Sequence, residues 1–204
     1  MIWRGLGALV SVWAVLSGSL ARADTAACDA SEAALKQVLG TRAGLEWELS
    51  TKVFDGPLKL ALNAETLRQD FPDADPDDQH AGWFIVGDGD TPVSVKPPSK
   101  DMAQAFIEHP RVSATACSNV LEYARRSGVV RQPEKSRPHR KSNGLYERTF
   151  LELTKAIVSP DGTEALVYVS SASGPLAGGG HLRLFRRENA GEWALAGQLP
   201  LWVS

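Results

Sequence analysis

About 55 residues at the C-terminal end of the chain alternate apolar and polar side chains in short runs. Ser159–Gly162 (Ser-Pro-Asp-Gly) suits a type I turn, because proline is favoured at the second position and glycine at the fourth. Apolar runs flank this turn within 150–158 and 164–171, and two more follow within 182–187 and 192–196. A period of two in short runs is typical of half-buried strands. The sequence therefore predicts three or four sequential antiparallel strands, a β-meander with one face on the core.

The first 23 residues have the build of a secretory signal peptide. Arg4 supplies a positive start, Leu6–Leu16 is an apolar run, and Ala21–Ala23 (Ala-Arg-Ala) is a small-x-small cleavage site. The apolar run is about eleven residues long, well short of the roughly 20 that span a bilayer. We therefore expect cleavage after Ala23, a periplasmic or secreted protein, and no transmembrane segment in the mature chain.

Removing the first 23 of 204 residues leaves 181, a length that suits one domain over 24–204. Loss of Arg4 and Arg22 moves the formal net charge from −2 to about −4, which disfavours nucleic acid as a partner. Acidic residues are concentrated in Glu46–Asp101 and basic residues in Met102–Arg148. This segregation indicates either a solvated mixed surface or a face that recognises a charged protein or cell-envelope partner.

Cys28 and Cys117 are the two cysteines of the chain. In an oxidising compartment, such a pair is most simply one disulfide. A lipidated Cys28 is the alternative, because small residues precede it, but Thr25 replaces the usual large aliphatic residue and Asp24 helps separate Cys28 from the apolar run. A nucleophilic Cys117 is the third reading, which an available Cys28 disfavours.

The mature N-terminal part predicts one helix and two strands. The helix begins at Asp29 or Ser31 and stops at Gly40, since capping residues and a terminal glycine mark helix ends. Leu45–Val53 and Leu58–Leu62 alternate as two strands around a turn.

Two short strands and two helices are predicted in the middle of the chain. The strands are 82–87 and 93–95, and the helices are 102–109 and 112–127. Ser99 or Asp101 caps the first helix, and Gly128 ends the second. A basic, polar segment near 131–144 is predicted to be a mobile loop. Together these elements predict an α+β fold with an N-terminal helix and strands, two middle helices and a C-terminal antiparallel β-meander.

An acidic loop over 71–80 is the candidate metal site. Its candidate ligands are Asp73, Asp75, Asp77 and His80. The three aspartates alternate as the first ligands of an EF-hand do, but Asp78 replaces the required glycine and Phe84 the bidentate glutamate. A solvated acidic loop is therefore favoured, and we expect no bound cofactor.

Recognised catalytic signatures are absent from residues 24–204. There is no Gly-x-Ser-x-Gly elbow, Ser-x-x-Lys pair, P-loop or dinucleotide fingerprint. Gly178–Gly180 is favoured as a hairpin connection, with an anion-binding nest as the alternative. Trp47, Trp83, Trp193 and Trp202 are expected in the core, because large aromatic residues on strands usually pack inside.

The segment that begins with Ser-Pro-Asp-Gly-Thr at Ser159 resembles a pattern of small bacterial exported proteins and lipoproteins. It continues with Ala165–Val169, the glycines at 178–180, Trp193 and the terminal Trp-Val-Ser. The resemblance covers about a quarter of the chain. Relatives often carry cysteines near the glycines, where this chain has none. The resemblance implies a β-meander in an envelope protein and transfers no catalytic residue.

The function expected from the sequence is that of an exported, non-enzymatic protein that binds another envelope macromolecule. A more specific form is an immunity or inhibitor protein that blocks a toxin. One alternative is a cell-wall-directed hydrolase that uses carboxylates with His80 or His181, because carboxylate pairs are found by distance in the fold. A further alternative is a small-ligand carrier, which requires an enclosed apolar cavity.

Overall fold

The computed structural model describes the backbone of residues 7–41, 45–53, 82–86, 92–131, 141, 146–174, 176–188 and 191–203. Side chains are described for the same residues except 7–21, 86, 92, 202 and 203. The predicted strand Leu58–Leu62 and the acidic loop 71–80 lie outside these ranges, as do 132–140 and 142–144 of the predicted basic loop.

Three α-helices and nine strands lie within the described residues. The helices are α1 (Gly7–Thr41), α2 (Lys100–Glu108) and α3 (Ser118–Arg126). The first strands are β1 (Trp47–Leu49), β2 (Phe84–Val86), β3 (Pro92–Ser94) and β4 (Val130–Arg131). The others are β5 (Thr149–Leu153), β6 (Ile157–Val158), β7 (Glu164–Gly174), β8 (Ala177–Arg187) and β9 (Trp193–Val203). The α+β fold is therefore confirmed.

All nine strands form one sheet, in the order β3-β2-β9-β8-β7-β5-β1-β4, with β6 paired to β7. The chain of antiparallel pairs from β5 through β7 and β8 to β9 is the predicted meander. β1 lies parallel to both β5 and β4. Arg131 therefore belongs to a strand rather than to a loop, because its backbone is in register with Leu49.

Both faces of the meander are covered, so the prediction of one buried face is wrong. Along β7, Ala165, Val167 and Val169 lie in a cluster with α1 and α3. Leu166 and Tyr168 alternate onto the opposite face and pack with residues of α2. Successive strand residues point to opposite faces, so apolar residues at both parities require cover on both sides.

The N-terminal helix is longer than predicted, because α1 runs without a break from Gly7 to Thr41. Ser31 does not cap it. Its fully buried hydroxyl donates to Ala27 O at 2.7 Å and accepts from Ala156 N at 2.8 Å.

Burial of the described side chains of α1 begins at Ala26, after the exposed residues 22–25. None of the helices described is both long enough and apolar enough to cross a membrane.

The single helix predicted over 112–127 is in fact two elements. A 3-10 turn at Ala114–Ala116 precedes α3, and Cys117 stands between them. Val112 lies before both elements, and its carbonyl accepts from Lys155 N at 2.7 Å. The predicted end is confirmed, since Gly128 follows α3 with φ of 74°. The cap of α2 is Ser99, whose hydroxyl accepts from Met102 N at 3.3 Å.

The glycines at 178–180 lie inside β8 rather than in a connection. Gly178 pairs with Ala172, and a Cβ at this position would stand 2.8 Å from Ser171 O. The absence of a side chain therefore permits close approach of β7 and β8. The nest alternative fails as well, because these residues belong to paired strands.

Candidate functional site

The disulfide predicted from the sequence is present. Cys28 of α1 is bonded to Cys117, with a Cα–Cα distance of 5.4 Å and a sequence separation of 89. Both sulfurs are consumed, so neither a lipid on Cys28 nor a nucleophilic Cys117 fits this structure. The bond joins the N-terminal helix to the start of α3.

The metal candidates of the acidic loop, Asp73, Asp75, Asp77 and His80, lie outside the described residues. Within the described part of the chain, no three His, Cys, Asp or Glu residues are grouped as metal ligands. His181 is half-buried in β8, opposite Val169. The hydrolase candidate His181 is therefore described, whereas His80 and the aspartates of the loop are not.

A polar pocket of about 570 Å³ is the candidate functional site. Its walls are the turn between β6 and β7, the segment that leads into α2, and the end of β8. Three cations and three carboxylates line it: Lys96, Arg186, Arg187, Asp101, Asp161 and Glu164.

The Ser159–Glu164 turn forms the first wall, and its own side chains hold it. Gly162 N donates to Ser159 O at 2.8 Å, which closes the turn, and Gly162 has φ of 71°. Glycine suits this position because other residues rarely adopt positive φ. Ser159 Oγ accepts from Glu164 N at 2.9 Å and donates to Asp161 Oδ1 at 2.6 Å. The turn predicted at this position is confirmed.

Asp161 accepts three hydrogen bonds from within the turn itself. Its Oδ1 accepts from Ser159 Oγ, and also from Thr163 N at 3.1 Å and Thr163 Oγ1 at 2.9 Å. These bonds hold the pKa of Asp161 below its usual value, with the bond from Ser159 as the largest cause. Asp161 is therefore ionised at neutral pH.

A cross-strand ion pair forms the second wall. Glu164 and Arg186 are register partners on β7 and β8, and Arg186 Nε and Nη2 each lie 3.0 Å from Glu164 Oε1. The other carboxylate oxygen accepts from Ser99 N at 3.1 Å. Arg186 Nη2 also donates to Lys96 O at 3.2 Å and Pro97 O at 3.1 Å. The pair therefore ties the segment before α2 to the sheet.

The remaining charges belong to exposed side chains at the margin of the pocket. Lys96, Asp101 and Arg187 are exposed. The Arg187 guanidinium lies 4.8 Å from the centroid of the Trp193 ring, a cation–π contact between neighbouring strands. These groups are accessible to a partner, whereas Glu164 and Arg186 are engaged with each other.

Two carboxylates of the pocket, those of Asp161 and Glu164, are held by hydrogen-bond donors. A general acid at neutral pH needs a carboxyl group that keeps its proton. The pKa of Asp161 is shifted in the opposite direction, and Glu164 is paired with Arg186. The pocket presents charges of both signs, carried by β7, β8, the start of α2, the segment before α2 and the Ser159–Glu164 turn.

The sequence predicts a turn at Ser159–Gly162 and a helix cap at Ser99 or Asp101. It does not predict that these two segments line the same pocket. Glu164 and Arg186 occur near the ends of two predicted strands, so a correct hairpin register would have paired them. The sequence contains both charged residues, but their pairing depends on the register of β7 and β8, which in turn depends on where β8 begins.

Comparison of the chain with protein-family models, with curated proteins and with solved structures gives no match. The residues and their geometry are therefore the basis for a functional proposal.

Proposed function

We propose that this chain is an exported, non-enzymatic protein that binds another envelope macromolecule at the polar pocket. The main supporting observation is the pairing of Glu164 with Arg186. Because these two charges are engaged with each other, the exposed charges of Lys96, Asp101 and Arg187 are the ones open to a partner. Open charges of both signs are suited to specificity, since wrong partners meet like charges. A periplasmic or secreted immunity or inhibitor protein is the more specific form of this proposal.

Export is supported by the leader-like residues 1–23 and by the disulfide. Disulfides persist in oxidising compartments and are rare in reducing ones. Exposed residues 22–25 precede the first buried residue, Ala26, so cleavage after Ala23 removes none of the described core residues. Intact mass of the exported protein should match a chain that begins at Asp24 and lacks two hydrogens at the disulfide. A mass that retains residues 1–23 would contradict this assignment.

The two alternative functions find less support in the described pocket. A hydrolase needs a proton-donating carboxyl, whereas Asp161 has a lowered pKa and Glu164 is held by an arginine. A carrier of apolar ligands needs an enclosed apolar cavity, whereas this pocket is open and is lined by three cations and three carboxylates.

The proposal is tested by capture from envelope extract. The purified, disulfide-bonded chain is immobilised, and retained material is compared between the wild type and the double variant Lys96→Glu, Arg187→Glu. The control is Lys52→Glu, Lys141→Glu, which makes the same charge change at exposed lysines that do not line the pocket. We expect one component to be retained by the wild type and the control and lost by the pocket variant.

Two results would count against the proposal. Retention of the same component by the pocket variant would show that the component binds to another surface of the protein. Absence of any retained component from native envelope extract would remove the support for a macromolecular partner. Matched thermal unfolding midpoints of the three proteins ensure that a loss of binding is not a loss of folding.

A further inference from the structure

We infer that the polar pocket recognises a short peptide segment that carries both a positive and a negative charge. This inference rests on the proposed function and names the chemistry of its ligand.

The charge balance of the pocket is the first observation. Once the Glu164–Arg186 pair is set aside, two cations and two carboxylates remain: Lys96, Arg187, Asp101 and Asp161. A purely anionic ligand would be repelled by two carboxylates, and a purely cationic ligand by two cations. A ligand with both charges can satisfy each group, because binding favours complementary potentials.

The orientation of two of these groups is the second observation. Arg187 lies over the Trp193 ring, which orients a planar guanidinium whose edge can bond a carboxylate with two parallel hydrogen bonds. Among the described contacts of Asp161, all three hydrogen bonds go to Oδ1. These bonds fix the carboxylate while Oδ2 accepts none of them. The pocket therefore presents a cation and an anion that are already positioned.

The size of the pocket is the third observation. A volume of about 570 Å³ lies within the range of roughly 300–1,000 Å³ that small-ligand sites occupy. A few residues of extended chain can occupy a site of this volume. The recognised element is therefore a short segment, either a free peptide end or a charged stretch of a longer chain.

Isothermal titration with four capped tetrapeptides tests this inference. The parent peptide, acetyl-Gly-Lys-Glu-Gly-amide, carries both charges, and glutamine replaces lysine, glutamate or both in the other three. We expect the parent to bind the disulfide-intact chain about tenfold more tightly than either single-charge peptide, since each closely matched charge pair strengthens binding. Equal binding of the glutamate-only peptide would overturn the inference, as would no binding of the parent peptide at millimolar concentration.

Two variants link that difference to named residues. In the Arg187→Gln variant, the parent peptide should bind no more tightly than the peptide that lacks glutamate. In the Asp161→Asn variant, the parent peptide should bind no more tightly than the peptide that lacks lysine. Lys52→Gln is the matched control and should retain both differences in binding. If either pocket variant retains the full advantage of the parent peptide, the inference is wrong. Thermal midpoints and circular dichroism spectra check that each variant is folded.

A fifth titration distinguishes the two sources of the ligand. Uncapped tetraglycine carries its charges at its two termini, as free peptides do, whereas the capped parent carries them on side chains. Tighter binding of tetraglycine assigns the pocket to peptide ends, and tighter binding of the parent assigns it to internal segments. Both results support recognition of paired charges.

The envelope capture experiment separates this inference from the proposed function. If a component is captured through Lys96 and Arg187 but no peptide binds, the function stands and the peptide inference fails. If the peptides bind as expected but nothing is captured, the peptide inference stands and a macromolecular partner fails.

Discussion

Ser31 illustrates how one polar side chain can connect two elements inside a core. Its hydroxyl is fully buried, donates to α1 through Ala27 O and accepts from Ala156 N beside β6. The Ser31→Ala variant leaves the Ala156 amide without this partner, and an unsatisfied buried group costs about 1–3 kcal/mol. We expect the free energy of unfolding in urea to fall by that amount. The exposed control Ser127→Ala should change it by less than about 0.5 kcal/mol, and equal effects would contradict this role for Ser31.

Asp161 provides a pH-dependent test of the turn. Its pKa is lowered in the folded state, so its stabilising contribution is present above the unfolded-state pKa and is lost as pH falls through the folded pKa. The difference in the free energy of unfolding between the wild type and Asp161→Asn should therefore become smaller as the pH is lowered through the folded-state pKa. Carboxyl-carbon NMR should give a pKa below the usual aspartate value.

Ser159→Ala is the companion variant in the same titration. The Ser159 hydroxyl is the largest cause of the lowered pKa, so its removal should raise the pKa of Asp161 toward the ordinary value. An unchanged titration midpoint in Ser159→Ala would show that this hydrogen bond does not set the charge of the turn.

Two glycines in different elements should respond to alanine in opposite directions. In β8, a Cβ at Gly178 would stand 2.8 Å from Ser171 O, so Gly178→Ala should lower the free energy of unfolding by about 1–3 kcal/mol. In α1, a Cβ at Gly40 meets nothing within 4 Å, so Gly40→Ala should raise it by about 0.5 kcal/mol. Urea denaturation measures both, and a neutral Gly178→Ala would contradict the close approach of β7 and β8.

Among the contacts between elements, we expect the disulfide to make the largest single contribution to the free energy of unfolding. Its sequence separation of 89 residues implies a loop-closure contribution of about 4.6 kcal/mol in the chain-entropy treatment. The double variant Cys28→Ala, Cys117→Ala should therefore unfold at lower urea concentration, with α1 and α3 no longer linked. An unchanged midpoint would mean that packing alone fixes α1 against α3.

The element boundaries show why local sequence was sufficient in some places and not in others. The turn at Ser159–Gly162 and the cap of α2 depend on neighbouring residues; the sequence predicted the turn and limited the cap to Ser99 or Asp101. The segment before α3 is instead tied to a distant part of the chain, since Val112 O accepts from Lys155 N. The extension of β8 through Gly178–Gly180 depends on close approach of β7. Long-range pairing leaves little trace in a local pattern.

The whole molecule is an α+β fold in which α1 and α3 cover one face of the sheet and α2 packs on the other. The two cysteines predicted their own pairing, because the chain contains no others. The pocket was less accessible to prediction, since it joins three segments that are distant in sequence. Individual charges at Lys96, Asp101 and Arg187 carry no local signal of convergence.

The central claim is that the polar pocket is the surface through which the exported protein binds its envelope partner. The most direct measurement is photo-crosslinking in bacterial cells that export the protein, with benzoylphenylalanine in place of Pro160, an exposed and uncharged residue of the pocket wall, and, as a control, in place of Lys52. We predict a discrete adduct with one envelope component from position 160 that disappears when Arg187→Glu is added, and no such adduct from position 52. Absence of an adduct at position 160, or the same adduct from both positions, would contradict the claim.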